Sequence, residues 1–176
     1  MSLVLITGTN GAGKSAVCRE LKVRGFEAYG TDEDQLAGWY DKTTHLPVSM
    51  PPRDVWAKPE WSEHHDWHLD RSKLEALVER AQTKEIFICG CAANEAEVWD
   101  LFRKVLYLII DEDTVRHRLS TRTDNDYGKE LHELNAVLGW LQNARADYTR
   151  FGAEIIEASR PLAEVVDEIL SLVSKT

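Results

Sequence analysis

The chain has 176 residues, enough for one domain with a proper core and short for two independent ones. Hydrophobic residues make up 43% and charged residues 29%, and no apolar run approaches the length of a bilayer-spanning helix, which argues against a helical membrane protein. The formal net charge of −9 argues against a nucleic-acid partner, because duplex binding depends on a surplus of Lys and Arg to neutralise phosphates.

The opening residues Met1-Ser2-Leu3-Val4 lack the basic region and small-residue cleavage site of a secretory signal, so a cytoplasmic location is the default expectation. Residues 3–7 are aliphatic and read as the first strand. They run into Gly8-Thr9-Asn10-Gly11-Ala12-Gly13-Lys14-Ser15, which matches G-x-x-x-x-G-K-[ST] in the strand-to-helix context that gives this pattern its meaning. The glycines let the backbone aim successive amides at a phosphate, and the helix that follows through Ala16 adds its free N–H groups and positive dipole end. Lys14 is expected to bridge the β- and γ-phosphates of a nucleoside triphosphate, and Ser15 to place its hydroxyl on Mg²⁺.

That helix is expected to end at Gly25 in the left-handed C′ position, and residues 26–30 to form the second strand. Residues 31–69 break the pattern. Pro47, Pro51, Pro52 and Pro59 prevent a long helix, while Trp39, Tyr40, Trp56, Trp61 and Trp67 argue against disorder. After Gly30 comes Thr31-Asp32-Glu33-Asp34, whose carboxylates suit either acid–base work or the cap of a following helix. His64 and His68 are four apart, as on one helix face, but the order lacks the metalloprotease pattern and a third ligand; a polar helix face is expected.

Residues 85–90 read as the third strand and 105–110 as the fourth. Cys18, Cys89 and Cys91 lie on a helix and a buried strand and read as core thiols. Asp111 suits the N-cap of a helix carrying Arg118 and Arg122 on one face, with Arg116 and His117 beside them. A polar loop over 123–128 follows, then a helix over 129–150 with Leu131, Leu134, Val137, Leu138 and Leu141 as its core stripe. Residues 154–157 form the fifth strand, and Pro161 opens a terminal helix.

The loop at 8–15, the acid after the second strand, the arginine pair after the fourth and the alanine-containing turn after the fifth together resemble the small P-loop kinases, the group of shikimate, gluconate, adenylate and nucleoside kinases. The resemblance covers most of the chain. It implies one domain over 1–176 with a three-layer α/β/α P-loop NTPase fold, a five-stranded parallel sheet of order 2-3-1-4-5 and a lid. Residues 32–70 correspond to the acceptor-binding insert and 116–130 to the lid region. ATP and Mg²⁺ are the implied cofactors, a small molecule the implied acceptor, and a monomer the implied state.

The same resemblance places Asp32 on the carboxylate that holds the acceptor hydroxyl, with Gly30 replacing a further acid; Asp34 supplies it if the register shifts, so Asp32 and Asp34 join Ser15 as metal candidates. Arg118 is implied to lie against the base and Arg122 to reach the phosphates, while Ala158 and Ser159 frame the adenine. Acids outnumber Lys42, Arg53 and Lys58 across the insert, a lining that repels a phosphorylated acceptor. The expectation is therefore a kinase acting on a hydroxyl of a nucleoside, sugar or cationic alcohol. A nucleoside monophosphate kinase, with Arg53 and Arg71 on the acceptor phosphate, and a nucleotide-binding regulatory module are the alternatives. The tryptophans suit either stacking on an acceptor or packing as a small core.

Overall fold

Strand β1 (Leu3–Gly8) is buried along its whole length because it lies in the middle of a parallel sheet covered on both faces. In the computed structural model, which describes residues 3–82, 84–123 and 126–175, β1 feeds the 8–13 loop into α1 (Lys14–Val23). Gly25, at φ 85°, ends that helix in a Schellman motif: its N–H reaches the Lys22 carbonyl at 3.1 Å and the Phe26 N–H the Leu21 carbonyl at 3.0 Å. The chain then enters β2 (Glu27–Gly30).

Residues 37–69 hold elements that the sequence pattern does not reveal. Strands β3 (Ala37–Asp41) and β4 (Pro47–Val48) are followed by two short helices, α2 (Arg53–Trp56) and α3 (Pro59–His64), and by β5 (His65–Leu69). The three strands form a separate antiparallel sheet of order β4-β3-β5. His64 therefore closes a helix while His68 lies on a strand, and the expected i,i+4 helix face does not exist. No helix follows Asp32–Asp34 either, so these acids cap none.

The main chain of the fold resumes with α4 (Arg71–Arg80), β6 (Ile86–Cys89), α5 (Glu95–Val98), β7 (Lys104–Ile109), α6 (Glu112–Thr121), α7 (Leu131–Arg150), β8 (Glu154–Glu157) and α8 (Leu162–Ser174). Among the described residues β2-β6-β1-β7-β8 form the five-stranded sheet, every pairing in it parallel. Counted among themselves these strands run 2-3-1-4-5, the implied order; the labels differ because three strands of the second sheet intervene.

Two cores sandwich this sheet. One joins Val17 and Leu21 of α1 to Val115 of α6, Val137 of α7 and Val166 and Ile169 of α8; the other joins Leu74 and Leu77 of α4 to Leu101, Phe102 and Tyr107. Val137 and Leu138 of the expected α7 stripe are buried, but Leu131 is 72% exposed, because the helix starts there, beyond the reach of the core. Glu130 and Glu133 form a capping box at this start.

Candidate active site

The phosphate loop has the backbone that its glycines predict. Gly8, Gly11 and Gly13 have φ of 150°, 85° and 98°, a region closed to most side chains. A Cβ on Gly8 would stand 2.5 Å from the Leu108 carbonyl oxygen, so β7 itself forbids a larger residue there. Ala12 N–H closes a turn on the Thr9 carbonyl at 3.1 Å, and Lys14 Nζ donates to the carbonyls of Gly8 at 2.6 Å and Thr9 at 2.9 Å. Ser15 and Ala16 are half-buried in the first turn of α1, with Asn10 half-buried in the loop. A glycine cradle, an ammonium on flexible reach and a hydroxyl at the helix start fit a nucleotide triphosphate with its Mg²⁺.

On the acceptor side, Thr31 is anchored by its N–H to the Cys89 carbonyl at 3.0 Å, and its side chain fills the space where a Cβ on Gly90 would stand. Asp32 is exposed and accepts from the Thr31 hydroxyl at 2.9 Å. Asp34 behaves differently. Its Oδ2 takes the Gly30 N–H at 2.8 Å and Lys22 Nζ at 3.3 Å, so it is committed to the turn and to α1, and as a metal candidate it is superseded by Asp32. A Cβ at position 30 would collide only with the Glu33 carboxylate, the movable end of an exposed side chain, so the absent acid there has no steric cause.

Cys91 lies in the turn after β6, half-buried beside the phosphate loop. Its Sγ donates to Asn10 Oδ1 at 3.7 Å, burial pushes its thiol up, and the charges acting on it are those of Lys14, Glu95 and Asp32.

Glu95 is a site residue that sequence reasoning missed. The third strand ends in Cys-Gly with no acid, yet the first residue of α5 returns a carboxylate to the same place: 5% exposed, it accepts from the Thr7 hydroxyl at 2.7 Å, the Ala92 N–H at 3.1 Å and the Tyr148 hydroxyl at 2.8 Å. Burial raises its carboxyl above the ordinary range against the pull of those donors. Asn94 beside it clamps both the N–H and the carbonyl of Leu69, which fixes β5 against this turn.

Arg118 and Arg122 divide their tasks. Arg118 donates Nη1 to the Gly11 carbonyl and Nη2 to the Ala158 carbonyl, each at 3.1 Å, and so ties the phosphate loop to the turn after β8. Ala158 is buried; Ser159 is exposed, with its hydroxyl 3.3 Å from Asp111, the N-cap of α6. Arg122 caps the end of α6 and donates to the Tyr127 carbonyl in the lid loop. Arg116 does not join them, since Glu112 binds it at 2.7 Å on the exposed side. Asp124 and Asn125 of the expected lid loop lie outside the described residues.

The insert reaches across to the lid. Arg53 of α2 stacks over Trp56 at 4.7 Å, donates to the Asp126 carbonyl at 3.0 Å and stands 3.5 Å from Glu133 of α7. A ring nitrogen of His132 lies 2.8 Å from the Ala57 carbonyl. The aromatic residues behind this bridge pack on one another: Trp39 meets Trp61 and Trp67 edge to face at 5.9 and 5.5 Å, and Trp61 stacks on His65 at 3.7 Å. Among the described residues no group of three or more His, Cys, Asp or Glu is arranged to hold a metal ion, and no helix is long and apolar enough to cross a membrane.

A family model described as an AAA domain matches residues 4–146. No curated protein matches the chain by sequence. Among solved structures, a gluconokinase from Sinorhizobium meliloti is similar over 99% of this chain and 92% of its own, with 20% identity and a TM-score of 0.54. A shikimate kinase from Acinetobacter baumannii in complex with shikimate is similar over 99% and 94%, with 17% identity and a TM-score of 0.60. The shikimate kinase from Bacteroides thetaiotaomicron gives 98% and 98%, 17% and 0.61. The chain belongs to the AAA domain family, and its fold is that of the small P-loop kinases.

Proposed function

We propose that the protein is an ATP-dependent phosphotransferase acting on a hydroxyl group of a small neutral or cationic molecule. The observation that carries this is the phosphate loop at the end of β1, its three glycines at positive φ and Lys14 on its carbonyls, with Asp32 exposed at the end of β2 on the same edge of the parallel sheet. Asp32 accepts the hydrogen bond of the acceptor hydroxyl, orients its oxygen in line with the terminal phosphorus and takes its proton as the new P–O bond forms and the bond to the leaving ADP breaks. Ser15 and Asp32 would hold Mg²⁺, which would supply charge neutralisation on the phosphates. Arg118 serves the base side and Arg122 the phosphates, with the Ala158–Ser159 turn against the adenine; the expected state is a cytoplasmic monomer.

A nucleoside monophosphate acceptor is disfavoured by the state of one of the two arginines available to it. Arg71 is held by Glu75 at 2.9 Å and by Asp100 at 2.6 Å, and Arg53 by the Asp126 carbonyl beside Glu133. Arg71 thus offers no free charge to a second phosphate, whereas Arg53 is engaged through Nη2 alone and its Nη1 is without a hydrogen-bond partner among the described residues.

The test is ADP release with a panel of nucleosides, sugars and amino alcohols. A neutral or cationic acceptor raises the rate well above hydrolysis, and Asp32→Asn lowers kcat by about 10²–10⁴-fold with the melting temperature unchanged, since Asp32 is exposed. A panel that leaves the hydrolysis rate flat, joined to an Asp32→Asn chain that behaves like the parent, returns the protein to the class of nucleotide-binding regulatory modules.

A further inference from the structure

Glu95 has no part in the transfer just described, yet three donors on three different elements converge on its carboxylate. Thr7, fully buried at the end of β1, gives its hydroxyl to Oε1; the Ala92 N–H of the turn after β6 joins the same oxygen; Tyr148 of α7 gives its hydroxyl to Oε2.

Thr7 directly precedes the loop. The carbonyls of its next two residues, Gly8 and Thr9, are held by Lys14 Nζ, and the β7 side of Gly8 is closed by Leu108. A phosphate that takes the Lys14 ammonium takes it from those carbonyls. The first limb of the loop then loses its anchor on one side and keeps the Thr7 hydroxyl bond on the other.

We infer that Glu95 is a positioning residue of the nucleotide loop, its carboxylate holding the end of β1 through the Thr7 hydroxyl so that the loop keeps its shape while Lys14 serves the phosphates. The inference rests on the reading of residues 8–15 as the nucleotide site. It makes the Thr7–Glu95 bond matter more to the nucleotide-bound chain than to the free one.

Titration calorimetry with a non-hydrolysable ATP analogue, beside thermal melts, tests it. Thr7→Val and Glu95→Ala each weaken binding by about tenfold, the double variant binds no more weakly than the worse single one, and Thr7→Ser binds like the parent. Tyr148→Phe removes the α7 bond but leaves Thr7 on Glu95, so it lowers the melting temperature with the analogue affinity unchanged. Unchanged affinity in Thr7→Val, or an equal loss in Tyr148→Phe, overturns the role of Glu95. If Glu95→Ala does not fold, the Thr7→Val and Thr7→Ser pair decides alone. Lys14→Ala separates the two levels: if it binds the analogue like the parent, the nucleotide site itself is misplaced, whereas lost binding there with intact binding in Thr7→Val removes only Glu95.

Discussion

Arg53→Ala separates the insert from the lid, and the size of its effect can be worked from the contacts. Arg53 gives one hydrogen bond to the Asp126 carbonyl at 3.0 Å; from a charged donor such a bond contributes about 1.5–3 kcal/mol when buried, and roughly 1 kcal/mol for a side chain that is 33% exposed. The second term lies on the partner. Glu133 is 3% exposed, and without the guanidinium its carboxylate keeps the amides of Gly128 at 2.8 Å and Glu130 at 3.4 Å. Breaking a buried ion pair costs about 3–5 kcal/mol, and the long 3.5 Å contact with those amides in place reduces this to roughly 1–2 kcal/mol. The expected loss is therefore about 2–3 kcal/mol in urea unfolding, with faster amide exchange at Gly128 and in α2. Adding Glu133→Gln should return part of it, because the uncompensated charge is then gone. Stability within about 0.5 kcal/mol of the parent, with exchange at Gly128 unchanged, would show that the bridge is a surface contact without energetic weight.

Three further outcomes are expected. Gly8→Ala forces a Cβ to within 2.5 Å of the Leu108 carbonyl at a φ of 150°, so it should lower stability by about 2–4 kcal/mol and abolish nucleotide binding; a variant that melts and binds like the parent refutes the cradle geometry. Arg118→Ala unties the Gly11 and Ala158 carbonyls and should weaken nucleotide binding by about tenfold, while Arg116→Ala, which loses only its exposed pair with Glu112, should not; equal effects would make the helix a general basic surface. The third concerns pH. Because burial raises the Glu95 carboxyl, the native chain takes up that proton before the unfolded one does, and the group's contribution to stability falls as pH rises through the raised value. The parent's stability relative to Glu95→Gln should thus be greater near pH about 4.5 than near about 7.5, measured by urea unfolding at both; the reverse order contradicts the burial.

The sheet and the phosphate loop were legible because their signals are local. Aliphatic runs such as Leu3-Val4-Leu5-Ile6 and Ile86-Phe87-Ile88 belong to strands buried on both faces, and glycines at 8, 11 and 13 sit where φ is positive. The second sheet was hidden for the opposite reason. Its strands are short, one of them two residues long; Ala37–Asp41 sets Trp39 and Tyr40 side by side without alternation, and Pro47 opens the two-residue strand and reads as loop. His65–Leu69 alternates polar and apolar residues after Pro59 has started a helix, and nothing local marks the change at His65. Glu95 left no pattern because its partners Thr7 and Tyr148 lie 88 and 53 residues away along the chain. Only the folded topology brings them to one point.

The acidity of the insert, read from composition as repulsion towards phosphorylated acceptors, carries a different weight once its residues have places. Asp41 accepts from the N–H groups of Thr43 and Thr44, Asp66 pairs with Lys42 at 3.2 Å, Asp70 caps α4, and Asp34 holds the Gly30 N–H. Charge used in turns and caps does little to repel a ligand, since each carboxylate is already balanced by amides or by a cation. The tryptophans are likewise engaged with one another at 5.5–5.9 Å, as a core needs. On the proposed function, selection against a phosphate would fall to Asp32 and to the paired state of Arg71. This yields a sharper expectation than composition did: Arg53→Ala should not change the preference for a neutral acceptor over its phosphate ester, whereas Asp32→Asn should narrow it, as competition by the ester in the ADP-release assay would measure.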